Sequence, residues 1–307
     1  MANAFLKAET IAATSLGLLE RELILASLVW NNAGFDFTGA KADTVTVRVP
    51  AQLTAREYEW RNDRKADIVL DELAEDSINV QLNKDIYSAV AVTDEELSLD
   101  IKDFGTQVLA PQVNAVAKAL DAGVATLIEG APYANTLPLD AKDPYTSVVK
   151  ARTTLNKSFV PKADRVLLVG SDVEEKLLLS DRFIRADSTG EADAASALHE
   201  ATIGKVAGFR VVSSEVINPA SAYAFVPSAF VLATRAPAIP SGVTFGASQS
   251  YNGLSMRWIR DYDAAKLRDR SIVNLYAGFN AMLDKVGNAK KLVRAVKLNM
   301  SDPTPTS

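Results

Sequence analysis

Between Asp103 and Glu129 the apolar positions Leu109, Val113, Val116, Leu120, Val124 and Leu127 recur at steps of four, three, four, four and three, which puts them on one face at the helical period. This predicts one long helix with a single seam to bury. At about 1.5 Å per residue it runs roughly 35 to 40 Å, as long as a small domain is wide. Ala115, Ala119, Ala122 and Ala125 beside the seam let another element approach closely, and Gly130 followed by Pro132 supplies a stop. Pro111 removes a backbone donor and crowds the preceding turn, so a kink or a restart is expected there.

Residues 10–30 also carry a helical stripe, Leu16, Leu19, Leu23 and Trp30, and fit either a core helix or a terminal arm docking on another subunit. From Thr44 the period changes to two: Val45, Val47 and Val49 alternate with polar neighbours up to Pro50, and Ile78, Val80 and Leu82 do so later, with strand character continuing from Ile86 to Val92. Between these strands Arg56 to Asp67 is dense in both signs of charge and holds Tyr58 and Trp60, so it cannot be a core strand. Three readings meet on it. Nucleic-acid stacking is opposed by Glu57, Glu59, Asp63 and Asp67. A solvated loop is the plain one. The third is a long β-excursion lying on a neighbouring subunit, since an isolated hairpin needs a packing surface and Tyr, Trp and Arg are enriched where proteins meet.

Thr93-Asp94-Glu95-Glu96 is a capping-box pattern leading towards the long helix. After that helix Pro132, Pro138 and Pro144 punctuate a connector, Tyr145 to Phe159 is expected as a helix, and a domain boundary is placed here. Arg165 to Gly170 is a short buried strand, with Ser171 to Glu174 expected to cap the next helix. Arg185 to Asp193 is expected as a mobile loop, and Gly204 and Gly208 as a turn before a strand ending near Ser214. Strands are expected at Tyr223 to Pro227 and Phe230 to Ala233. Val243 to Arg260 is a hairpin turning at Asn252-Gly253, and Ser301 to Ser307 is a tail.

Composition narrows the function. A chain of 307 residues that is 48% hydrophobic can bury a large core, and its net charge of −5 offers no overall attraction to nucleic acid or an acidic membrane. The absence of cysteine excludes disulfides and thiolate chemistry and fits a cytosolic origin. The start has no signal pattern, and the run Leu23 to Trp30 is far short of the roughly 20 residues of a membrane span, so neither export nor insertion is expected.

Chemistry finds little purchase. His199 is the single histidine, so any triad or imidazole metal site must be built on it. Gly246 to Ser250 lacks the closing glycine of a nucleophile elbow, Gly170 stands alone where a dinucleotide loop needs three glycines, and Gly204-Lys205 lacks a following Ser or Thr. Asp261 and Asp263 could hold a divalent cation or form a solvated turn. No set of residues converges on a reaction, so no catalytic residue, metal or cofactor is expected. Lys285, Lys290, Lys291, Arg294 and Lys297 form the one cluster of single sign; Lys290, Lys291, Arg294 and Lys297 are the candidates for polyanion contact, against the plainer reading of a solvated face.

The order of β-excursion, long helix and α/β unit containing Ile203-Gly204-Lys205-Val206-Ala207-Gly208-Phe209-Arg210-Val211-Val212, followed by Arg257-Trp258-Ile259-Arg260-Asp261-Tyr262-Asp263 and by Arg268 to Phe279, resembles the major capsid proteins of tailed bacteriophages. The resemblance covers about residues 40–298 and implies the α+β Hong Kong ninety-seven-type fold. It divides the chain into an N-terminal arm (1–44), an E-loop (45–92), a peripheral domain with the spine helix (93–145), an axial domain (146–240) and a peripheral return with tail (241–307). It further implies a non-enzymatic shell protein whose partners are its own copies in hexamers and pentamers, a scaffolding protein, a portal protein and packaged double-stranded DNA, with no membrane. Assembly would take place in the host cytoplasm and the finished protein would reside in the virion. On this resemblance Arg56, Tyr58, Trp60, Arg61, Arg64 and Lys65 are the expected inter-subunit contacts of the E-loop. A Lys–Asn cross-link is not expected, because neither Asn280 nor Asn288 has a matching context. The alternatives are a bacterial encapsulin shell and an α/β enzyme with an acidic site.

Overall fold

A computed structural model of the chain describes residues 8–31, 37–38, 43–49, 76–96, 104–180, 204–243, 245–251, 253–286 and 289–300, with scattered positions between 55 and 70. Among them the chain runs through α1 (Ala8–Glu22), β1 (Trp30–Asn31), β2 (Phe37–Thr38), β3 (Thr44–Val49), β4 (Asp76–Gln81) and β5 (Lys84–Thr93), then a π turn (Gly105–Leu109) continuing into α2 (Ala110–Gly130). Next come β6 (Tyr133–Leu139), α3 (Pro144–Lys157), β7 (Val166–Val169), α4 (Ser171–Leu178), β8 (Lys205–Val206), β9 (Phe209–Ser213) and β10 (Ser221–Phe225). The last part is all strand: β11 (Phe230–Arg235), β12 (Phe245–Tyr251), β13 (Leu254–Asp263), β14 (Arg268–Ala281), β15 (Asp284–Val286) and β16 (Ala289–Met300).

The seam of α2 folds as its spacing requires. Val113, Val116, Leu120 and Val124 are buried, while Ile128 takes the last place and Leu127 is half-buried. Pro111 does not break the axis, because Leu109 and Ala110 keep right-handed helical angles and Ala110 N–H bonds five residues back to the Gly105 carbonyl. The widened turn accommodates the proline where an α-helical ladder would have met its ring.

One sheet runs β1-β11-β14-β13-β12, and β5 pairs with the opposite edge of β14. A second runs β15-β16-β10-β7-β9-β8 with β6 alongside β16, and β2-β3-β4 form a third. A single core spans α1 to α4 and both large sheets. Inside it the buried Asp121 carboxylate accepts from the amides of Ile24 and Ala26, each at 2.9 Å, which fixes the chain leaving α1. Residues 8–31 thus pack as a shorter core helix and a connector, ending in a parallel pairing of Trp30 with Val231.

Two stretches differ from their expected roles. The proline-punctuated connector contains β6, which pairs in parallel with β16; it tolerates Pro138 because among the described residues it is flanked on one side alone, as an edge strand. The strand 289–300, expected within the 241–307 return, pairs instead with β10 and β6. Its partners lie far away in sequence, so no local pattern announces them. The cap of α4 also shifts by one: Gly170 is the cap residue and Ser171 the first helical one. Thr93 and Glu96 do form the reciprocal capping box, at 2.9 and 3.2 Å.

Candidate assembly surfaces

The alternation in β3 and β4 places Val45, Ile78 and Val80 on one face, where they pack with Val231, Ala233 and Met282 in a small core of their own. On the opposite face Thr46 Oγ1 donates to Asn79 Oδ1 at 3.0 Å in the open. Two further bonds hold this ribbon to the body, Asn83 N–H to the Ala277 carbonyl at 3.2 Å and Asn280 Nδ2 to the Asn79 carbonyl at 2.8 Å, while Leu82 N–H to the Asp43 carbonyl at 2.8 Å extends the ribbon's own ladder. Gly278 makes the approach possible, since a Cβ there would lie 2.5 Å from the Gln81 carbonyl oxygen. The base of the excursion is therefore packed on its own chain, and residues 84–93 are a strand of the large sheet rather than part of the ribbon.

Beyond the base, the described residues turn outwards. Trp60 is 86% exposed, Ile68 67% and Leu70 82%, and Arg61 sits in a turn with φ of 62°. Lys65 is exposed and Tyr58 half-buried, whereas Arg56 and Arg64 lie outside the described residues. Large apolar side chains beside water are the observation to be explained here.

The basic cluster is split by the fold. Lys285, Lys290 and Lys291 come together, exposed, on the β15–β16 hairpin. Arg294 turns back to Asp284 as a bidentate pair at 3.0 and 3.2 Å, and Lys297 lies 3.5 Å from the Glu129 carbonyl and 5.7 Å above the Tyr223 ring. Position along the strand separates the two groups: residues 289–291 pair with β15 in the hairpin, whereas from Leu292 onwards β16 lies beside β6 and then β10.

The positions tested for chemistry have structural partners. Asp261 pairs with Arg270, Asp263 lies 4.0 Å from Arg268, and Arg260 joins Asp269, a ladder of charges across β13 and β14. Tyr262 donates to Asp94 at 2.8 Å, and that bond is the foremost cause raising its phenol above the usual range. The amides opening α4, where a phosphate would bind, are taken by the Pro219 carbonyl. Among the described residues no group of three or more His, Asp or Glu could hold a metal ion, and no helix is long and apolar enough to cross a membrane. His199 and the loop 185–193 lie outside the described residues. One exposed residue that sequence reading passed over is Phe159, at the end of α3, because nothing in its neighbours marks the left-handed backbone that turns it to solvent.

Residues 77–290 match the sequence model of a family described as phage capsid protein. The chain belongs to that family. In fold, this capsid protein is similar to the solved structure from Mycobacterium phage Che8, at 19% identity and a TM-score of 0.64 over 90% of this chain and 91% of the other. It is also similar to the capsid of Ralstonia phage GP4 (11% identity, TM-score 0.62, 91% and 89% covered) and to a virus-like particle from Pyrococcus furiosus (11%, 0.55, 94% and 97%). No curated protein matches it by sequence. The capsid protein thus has the Hong Kong ninety-seven-type α+β fold, and it is a shell-forming major capsid protein of the virion.

Proposed function

We propose that copies of this protein close into an icosahedral shell around packaged double-stranded DNA, with residues 45–83, the expected excursion less the strand that joins the large sheet, as an E-loop whose outer part lies on a neighbouring subunit. Trp60, Ile68 and Leu70, exposed on a ribbon whose base is packed at home, are the observation that carries the reading. Burying three such side chains is worth about 1.5 to 3 kcal/mol each, a gain open to them in contact with another chain. The division into N-terminal arm, peripheral domain, axial domain and return accompanies this reading, with 289–300 moved to the axial sheet on the strength of its pairing. The role is non-catalytic. A scaffolding protein guides closure, a portal protein occupies one vertex, and assembly runs in the host cytoplasm. Lys285, Lys290 and Lys291 are the residues best placed for the packaged polyanion.

Negative-stain microscopy and light scattering of the purified protein, alone and with scaffold, test this. Rings or closed shells support it, and a strictly monomeric species at high concentration and varied salt overturns it. The likeness to the Pyrococcus particle favours a second reading, a compartment without a genome, and the nucleic-acid content of the particles separates the two.

A further inference from the structure

Phe159 is set against its own fold. Helix α3 ends in a cap in which Phe159 N–H bonds to the Asn156 carbonyl and Val160 N–H to the Leu155 carbonyl, both at 3.1 Å, with Val160 and Leu155 buried. The left-handed residue of such a cap is usually glycine. Here it is a phenylalanine at φ of 55°, a backbone that bulky residues adopt at a cost. The ring recovers none of that cost within the subunit, for it is 94% exposed. Nor is the segment slack: buried Arg165 donates from Nη2 to the Val160 carbonyl at 2.7 Å and from Nε to the Pro161 carbonyl at 2.8 Å, clamping the chain that follows. An anchor held in place in advance loses little freedom on binding.

Its surroundings say what it meets. α3 leads into the start of β7, and α4 leaves its far end in the crossover to the parallel strand β9, so α3 ends where β7 and β9 begin. At this end stands Phe159, with exposed Lys157, Lys162, Lys205, Arg210 and Asp164. The opposite end carries exposed Val216 with Glu215 and Asp172, and the half-buried Glu129, whose carboxylate accepts from Asn218 N–H at 2.6 Å. One end is apolar and mainly basic, the other apolar and mainly acidic, with Lys297 set against the Glu129 carbonyl. A two-fold contact would set like charges together, whereas a head-to-tail contact pairs opposite ones and can close into a ring.

We propose that Phe159 is the anchor of a head-to-tail contact between copies of this chain, inserting its ring at the Val216 end of the next subunit while Lys157 and Lys162 face Glu215 and Asp172. This rests on the capsid reading and adds to it a named contact and a direction. The test is Phe159→Gly. In the dissociated subunit the thermal midpoint should rise, by about 2 °C or more, because the strained cap is relieved. The concentration needed for assembly should rise about tenfold or more. Lys162→Glu and Glu215→Lys should each weaken assembly, and the two together should restore part of it. Assembly of Phe159→Gly at the wild-type concentration overturns the anchor while leaving the capsid reading intact, and a destabilised subunit overturns it by placing the ring against its own chain. Absence of rescue in the paired charge variant overturns the head-to-tail direction. Failure of the wild-type protein to assemble under any condition is a different result and sinks the capsid reading instead.

Discussion

Gln112 and Ser271, 159 positions apart in sequence, close a two-way hydrogen-bonded link in the core: Ser271 Oγ donates to Gln112 Oε1 at 2.7 Å, and Gln112 Nε2 donates to the Ser271 carbonyl at 2.8 Å. Trp258 Nε1 donates to the same hydroxyl at 3.0 Å, and Gln112 Nε2 also reaches the Ser88 carbonyl at 3.2 Å. One side chain on the first turns of α2 thus ties the long helix to β14 and β5 together.

Gln112→Leu should therefore lower the stability of the dissociated subunit by about 2 kcal/mol, since it leaves buried carbonyls and a hydroxyl short of a partner. Chemical denaturation measures the loss. A variant as stable as the wild type would mean that the network contributes nothing net.

Asp121 gives a second measurable link. Asp121→Ala leaves the amides of Ile24 and Ala26 without their acceptor, and a loss of about 2 to 3 kcal/mol is expected. Hydrogen exchange should show the loosening concentrated in residues 8–31, and uniform loosening across the chain would contradict the local account.

Trp60→Ala combined with Arg61→Ala should behave in the opposite way. Both side chains are exposed in the subunit, so its melting temperature should stay within about a degree of the wild type while assembly weakens several-fold. Sedimentation of assembled and free protein across a concentration series reads this directly. Unfolding without an effect specific to assembly would place the tip inside its own chain.

Alkaline pH should unfold the subunit through its buried phenols. Burial is the main cause raising the Tyr133 phenol above the usual range, aided by Tyr223 and Glu129, and burial likewise raises Tyr223. A group whose folded pKa lies above its unfolded value contributes fully below the unfolded value, about 10 for tyrosine, and loses that contribution as pH climbs towards the folded one. Stability should be level from neutrality to about pH 9 and fall beyond about pH 10. Tyr133→Phe, which also loses the 2.6 Å bond to the Ile128 carbonyl, should be less stable at neutral pH yet show a shallower alkaline decline in denaturation melts.

Local pattern carried much of this architecture. The α2 seam, the Thr93 capping box, the hairpin closing at Gly253 and the alternation of β3 and β4 were all legible because each depends on neighbours a few positions apart. What escaped depends on distant chain: β6 is a strand because β16 lies beside it, and residues 84–93 belong to the body because β14 offers its edge. Of the contact residues, Trp60 and Arg61 stand exposed where their types suggested, while Arg294 and Lys297 look identical in sequence to the lysines that face outward. Phe159 was hidden for another reason, since a cap that normally shows itself by glycine shows nothing when an aromatic residue fills it.

The pairing of β5 with β14 runs unbroken through ten residue pairs, from Lys84 opposite Ala277 to Thr93 opposite Arg268. A pull delivered to Lys84 along the strand loads all of those pairs in shear at once, whereas a pull across it would peel them singly. The attachment is thus stiff in one direction and yielding in another, so a swelling container built from such pieces would feel tension at the ribbon's root as a directional brake.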